Sequence, residues 1–141
     1  MPVFKWSKNY AVFVPEIDAE HRNLFRAAGE LQQAVVGGEP GDRVHALLGE
    51  LIASEEDHFS HEERLMRFTG YPGLAWHKGQ HDTVRKKMSE YAPRIEGGER
   101  LAALLLLKFL SGWFQDHISL ADRMMAAHVR NYERAQTALA S

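Results

Sequence analysis

Apolar residues recur at steps of three and four along most of the chain, most clearly at Val44, Leu47, Leu48, Leu51 and Ile52. That period marks helices with one buried face, and the segments carrying it are poor in β-branched residues. Three breaker clusters divide the pattern: Gly37-Gly38-Glu39-Pro40-Gly41, Gly70-Tyr71-Pro72-Gly73, and Pro93 with Gly97-Gly98. The spacing predicts a first helix from an N-capping Asp18 to Val36 and a second over Asp42–Thr69. A third is expected over Leu74–Tyr91 and a fourth from Glu99 onward. Glu63 with Arg67, and Asp82 with Lys86, are charge pairs suited to exposed helix faces. The leucine-rich run 101–107 reads as a fully buried helical segment, and Gly112 as a point of close packing. Four helices on short connections predict an all-α, up-down-up-down four-helix bundle. Residues 1–17 form an arm rich in aromatics (Phe4, Trp6, Tyr10, Phe13), expected to pack across one end of the bundle. A helical extension is expected after Ser119.

Composition narrows the field. At 141 residues and 45% hydrophobic content the chain is sized for one domain, 1–141, with one core. A net charge of −2 with scattered Lys and Arg argues against nucleic acid as a partner. With no cysteine there are no disulfides, thiolate metal sites, iron–sulfur clusters or covalent haem. The strongest apolar run is far shorter than a membrane span, and the charged, aromatic start does not read as a signal peptide. The expectation is a cytoplasmic protein without a membrane partner. What stands out is eight histidines.

Their placement along the helices is informative. His21 opens the first helix, His58 and Glu62 lie in the second, His77 and His81 in the third, and His117 late in the fourth with Asp122 five residues on. Singly the spacings are weak, since chance supplies about half of one HxxxH in such a composition. Depth discriminates better. In an up-down bundle the starts of helices one and three meet the ends of helices two and four, so all seven residues fall in one layer. Residues four apart share a helix face, so His77 and His81 can bind one ion while His58 and Glu62 point together into the core. Imidazole with carboxylate selects iron, zinc or copper over calcium and magnesium. So many ligands need two ions. Five imidazoles, two bridging carboxylates and a bridging hydroxide fill all but one position on two six-coordinate ions. With a redox metal, the ligand suited to that last position is O2.

The motifs IDAEHRNLF (17–25), HFSHEE (58–63), HKGQH (77–81) and WFQDHISLAD (113–122), with Phe4-Lys5-Trp6 ahead of them, resemble the hemerythrin family, specifically single-domain bacterial members. The resemblance covers nearly the whole chain and implies reversible O2 binding at a non-haem diiron centre. It assigns His77, His81 and His117 to one iron and His21 and His58 to the other, with Glu62 and Asp122 bridging. It places Phe25, Phe59, Trp113, Phe114 and Ile118 in the dry wall of an O2 pocket. Phe114 departs from the leucine more usual in the family, which bears on gas access and autoxidation.

His45, His61 and His128 read as ordinary surface or core histidines, His61 lying about 60° off the His58–Glu62 line at 100° per residue. A ferritin-like enzyme needs two Glu-x-x-His pairs, and Glu55 with His58 is the only one. A zinc hydrolase motif of the HExxH type is absent. No nucleophile–base pair is evident, so the expectation is a carrier or scavenger of O2 and not an enzyme. The alternative is an O2, NO or redox sensor, or an iron-storage protein, using the same site. The roughly twenty residues after Asp122 favour the carrier, since family sensors usually carry a fused signalling domain.

Overall fold

The computed structural model describes residues 2–140. After a short 3-10 turn (Lys8–Tyr10) come α1 (Pro15–Val36), α2 (Gly41–Phe68), α3 (Leu74–Glu96) and α4 (Arg100–Asp116). A π-helical stretch, His117–Asp122, then runs directly into α5 (Arg123–Ala140). Consecutive helices pack as neighbours and α4 closes against α1, giving the expected up-down-up-down bundle. The C-terminal extension is thus a continuation of α4, joined through the π stretch. The core is a column of Leu, Ala, Phe and Met along the bundle axis, including Leu31, Leu48, Leu51, Leu106 and Leu110.

The first three bundle helices end with one device. In each, a glycine in the left-handed region (Gly38 φ 67, Gly70 φ 67, Gly98 φ 92) turns the chain back. The following N–H then closes on the last turn: Glu39 to the Ala34 carbonyl, Tyr71 to Met66 and Glu99 to Arg94, at 2.8–3.0 Å. The breaker clusters therefore do what the sequence implied, except Pro93. α3 passes through it to Glu96, because Pro93 sits in the last turn and the carbonyl it frees belongs to the exposed Ser89.

Other expectations are corrected. α1 begins three residues early, at Pro15, and Asp18 is not the N-cap. Its buried carboxylate instead accepts from the N–H groups of Val12 and Phe13 (2.8 and 3.1 Å), tying the arm to the helix. The arm runs along α1 and not across one end: Pro2 accepts from Gln32, Phe4 lies on Gly29, and Arg22 stacks over Trp6. Arg123 and Arg130 of α5 donate to the carbonyls of Asn9 and Val12. The leucine run buries only one face, with Leu101 66% exposed, because the neighbouring helices cover only that side. Gly112 faces open space, and a Cβ there would meet nothing within 4 Å. Glu63 does not pair with Arg67, and Asp82 pairs with Lys78 and Arg85 in place of Lys86.

Candidate metal centre

The seven residues of the predicted layer meet in the core. Two groups form, Glu62–His77–His81–His117–Asp122 and His21–His58–Glu62–Asp122, each with ligand atoms within 4.8 Å of one another. All seven are buried, at most 3% exposed. Each helix contributes on its inward stripe. Sequence reasoning missed the device that delivers Asp122. In an α-helix a residue five positions on lies about 140° round from the first. The wider π turn from His117 to Asp122 restores register, leaving His117 Nε2 3.0 Å from Asp122 Oδ1. The HxxxxD spacing was the available signal.

The two carboxylates lie between the groups and divide their oxygens. Glu62 Oε1 faces His77 and His81 (3.3 and 3.0 Å), while its Oε2 faces His58 and His21 (3.1 and 3.6 Å). Asp122 Oδ1 faces His77 and His117 (3.0 Å each), and its Oδ2 faces His21 (3.0 Å). Several of these atoms, among them His21 Nε2, His117 Nε2, Glu62 Oε2 and both Asp122 oxygens, approach closely yet lack hydrogen-bond alignment to any described residue. Buried polar atoms without partners are costly. Nitrogen and oxygen atoms about 3.0 Å apart match neighbouring corners of a coordination shell with ~2.1 Å metal bonds. The donor set fits two cations, one in each group.

Three of the five imidazoles have a partner on their outer nitrogen that sets tautomer and ring angle, while Nδ1 of His21 and of His77 has none among the described residues. His58 Nδ1 meets Glu20 Oε1 at 2.6 Å, His81 Nδ1 meets Glu63 Oε2 at 2.8 Å, and His117 Nδ1 meets Gln80 Oε1 at 2.7 Å. Glu63 is buried and also accepts from Arg85 at 2.8 Å, and Arg85 forks onto Glu56. The other Glu20 oxygen meets His61 Nδ1 at 2.7 Å. Glu20, Gln80 and Arg85 were not singled out from the sequence, and Glu63, expected on an exposed face with Arg67, instead serves His81. His45 is exposed beside Glu96, and His128 meets the Thr69 carbonyl at 2.8 Å, so neither joins the cluster.

Electrostatics follow from this packing. Burial raises the cost of charging Glu62 and Asp122, but the surrounding imidazoles outweigh it and hold both carboxyls well below their ordinary range. Burial opposes protonated His58 and His77, yet Glu62 and Glu20 push His58 up to about 10, and Asp122 and Glu62 push His77 up to about 9. In His117 burial prevails and the shift is downward. Protons on imidazole therefore compensate the two anions wherever cations do not.

The proposed wall residues flank one side of the cluster. Phe59 stacks on His81 (centroids 4.1 Å apart, 12° between planes) and Trp113 stacks on His117 (4.2 Å, 12°). Phe114 meets Phe25 edge-on at 5.5 Å and Trp113 at 6.0 Å. Phe25, Phe59, Phe114 and Ile118 are buried, and Trp113 is partly so. The arm adds Tyr10 over Phe25 (5.2 Å) and Phe4 against Phe114 (6.2 Å).

Among the described residues no helix is long and apolar enough to cross a membrane. Comparison with known proteins agrees with the geometry. The chain is 33% identical to a bacteriohemerythrin of Ralstonia nicotianae over 89% of this chain and 88% of the relative. It is 29% identical to one of Stenotrophomonas maltophilia over 95% and 89%. A third, of Clostridium acetobutylicum, is 30% identical over 86% and 97%. Residues 12–129 match the hemerythrin HHE cation-binding domain, and the chain belongs to the hemerythrin family.

Proposed function

We propose that this protein binds dioxygen reversibly at a pair of iron ions, as a carrier or store and not as an enzyme. The carrying observation is the division of Glu62 and Asp122, each presenting one oxygen to either ligand group. In this reading His77, His81 and His117 hold one ion, His21 and His58 hold the other, and the carboxylates bridge. A ferrous pair held by these residues would supply two one-electron equivalents to O2.

The chain's own residues supply the rest. Five imidazoles against two carboxylates leave fewer donors than two full coordination shells demand, which is what a ligand-binding centre needs. Glu20, Glu63 and Gln80 fix the Nδ1–H tautomers, so the Nε2 lone pairs face inward. Phe25, Phe59, Trp113, Phe114 and Ile118 keep water from the bound gas and slow the proton entry that would discharge it as reduced oxygen. That the relatives are bacteriohemerythrins supports an oxygen-binding reading.

The test is metal analysis of the purified protein with absorption spectra taken anaerobically, in air and after argon purging. Two irons per chain, with charge-transfer bands that appear in air and vanish on purging, are expected. Bands that persist after purging would replace the carrier with a redox-reporting or scavenging role. Zinc without bands would refute the iron chemistry.

A further inference from the structure

The two ligand groups are finished differently on their outer sides. In the His77–His81–His117 group, aromatic rings lie flat on His81 and His117. Glu63 behind His81 is itself held by Arg85, whose guanidinium also bonds Glu56 and Asp82. In the other group, His21 and His58 meet edge-to-face (4.8 Å, 74°) and Phe59 lies tilted beside His58 at 6.0 Å, but no flat-stacked ring covers either among the described residues. The partner of His58 is Glu20, 33% exposed against 7% for Glu63. Glu20 is steadied by the single imidazole of His61 where Glu63 has the Arg85 guanidinium, these two being equally exposed at 25%. A groove of about 310 Å³ between α1 and α2 is lined by Glu20, Asn23, Asp57 and His58.

Resting on the two-ion reading, we infer that the His21–His58 position is the exchangeable one: a divalent cation enters by the α1–α2 groove, fills this position second and leaves it first. Three observations converge. This group offers four protein ligands where the other offers five. Two of the three imidazoles in the other group lie under flat-stacked rings and neither imidazole here does, so more side-chain freedom is lost when a cation binds at this position. Its groove carries the carboxylates of Asp57 and Glu20, which raise the local cation concentration at the one histidine ligand that lines it. Glu20 must orient His58 while lying on that path, and His61, by holding the second Glu20 oxygen, returns the carboxylate to its place. His61 is thus a positioning residue.

The experiment adds Co²⁺ stepwise to the metal-free full chain under argon, counting bound ions by native mass spectrometry and following the absorption spectrum. A one-cobalt species is expected to accumulate first, with the spectrum of one-cobalt His58→Ala and not that of His77→Ala. Glu20→Gln is expected to weaken the second equivalent about 10–100-fold and leave the first unchanged. His61→Ala should do the same more mildly, and His61→Gln should restore it, with the melting temperature of the metal-free protein unmoved. If His58→Ala does not fold, the Glu20→Gln series decides. Uptake of both ions together, a first spectrum matching His77→Ala, or a first equivalent weakened by Glu20→Gln would overturn the inference. Failure to bind any cobalt would overturn the two-ion reading beneath it.

Discussion

Glu20 follows Ala19 and precedes His21 in the chain, yet it hydrogen-bonds His58 on the next helix. Glu63 sits beside Glu62 but serves His81, and Gln80 sits beside His81 but serves His117. One residue along a helix is 100° of rotation, so a side chain next to an inward ligand points sideways at the neighbouring helix. Truncating a ligand should therefore disturb more than one bond. His77→Ala or His81→Ala leaves Glu62 and its neighbours buried with fewer positive partners. Metal analysis should show at least one iron lost and O2 bands gone, with a stability loss of about 3–5 kcal/mol. His45→Ala, on the exposed side of α2, should change neither; retention of both irons in the ligand variants would refute the assignment. The seven central residues were legible because their depth in a bundle depends only on helix order and rise. Their outer partners were not, because helix rotation relative to a neighbour is a tertiary fact. That is how Glu63 came to be expected on the outer face with Arg67.

Helix existence and order followed from the apolar period and the glycine clusters, while the early start of α1 is decided by contacts. α1 starts at Pro15 because the arm folds back onto it and Asp18 binds the arm's N–H groups. The π stretch escapes a 3.6-residue period altogether, although Asp122 five positions after His117 marks it. The arm matters to the site through Tyr10 and Phe4, which back Phe25 and Phe114. Asp18→Ala removes two charge-assisted acceptors and should cost about 1–2 kcal/mol. Faster hydrogen exchange at Val12 and Phe13 is expected, with faster autoxidation and unchanged iron content; unchanged autoxidation would show that the arm does not guard the pocket. Phe114→Leu tests the wall itself. The smaller side chain leaves room between Phe4, Phe25 and Trp113, at a cost of about 1–2 kcal/mol. The autoxidation rate should change while two irons stay bound, and equal rates would remove Phe114 from gas access.

At the scale of the whole molecule, the bundle places two anionic carboxylates and five imidazoles in an interior that must be neutralised for the chain to fold. Without metal, protons do this. His58, pushed up to about 10, and His77, pushed up to about 9, bind protons more tightly folded than unfolded, where the ordinary value is 6.5. Their contribution to stability is complete below pH 6.5 and is lost as pH rises through 9 and 10. Glu62, held below 4.5, contributes stability above that value which is lost as pH falls, and His117, lowered by burial, adds to the acid-side loss. The metal-free protein should therefore melt at the highest temperature in mildly acidic solution and lose stability steadily toward pH 10. Loading changes the sign of the competition on the alkaline side. Cations take the Nε2 lone pairs of His58 and His77, so deprotonation no longer strips the carboxylates of their partners. The loaded protein should melt higher than the metal-free protein throughout, with the gap widening between pH 6.5 and 10. Melting curves of both forms across that range make the comparison. Parallel profiles would mean that the buried charge is balanced by something other than metal and proton in exchange, and the division of Glu62 and Asp122 between two ligand groups would lose its energetic rationale.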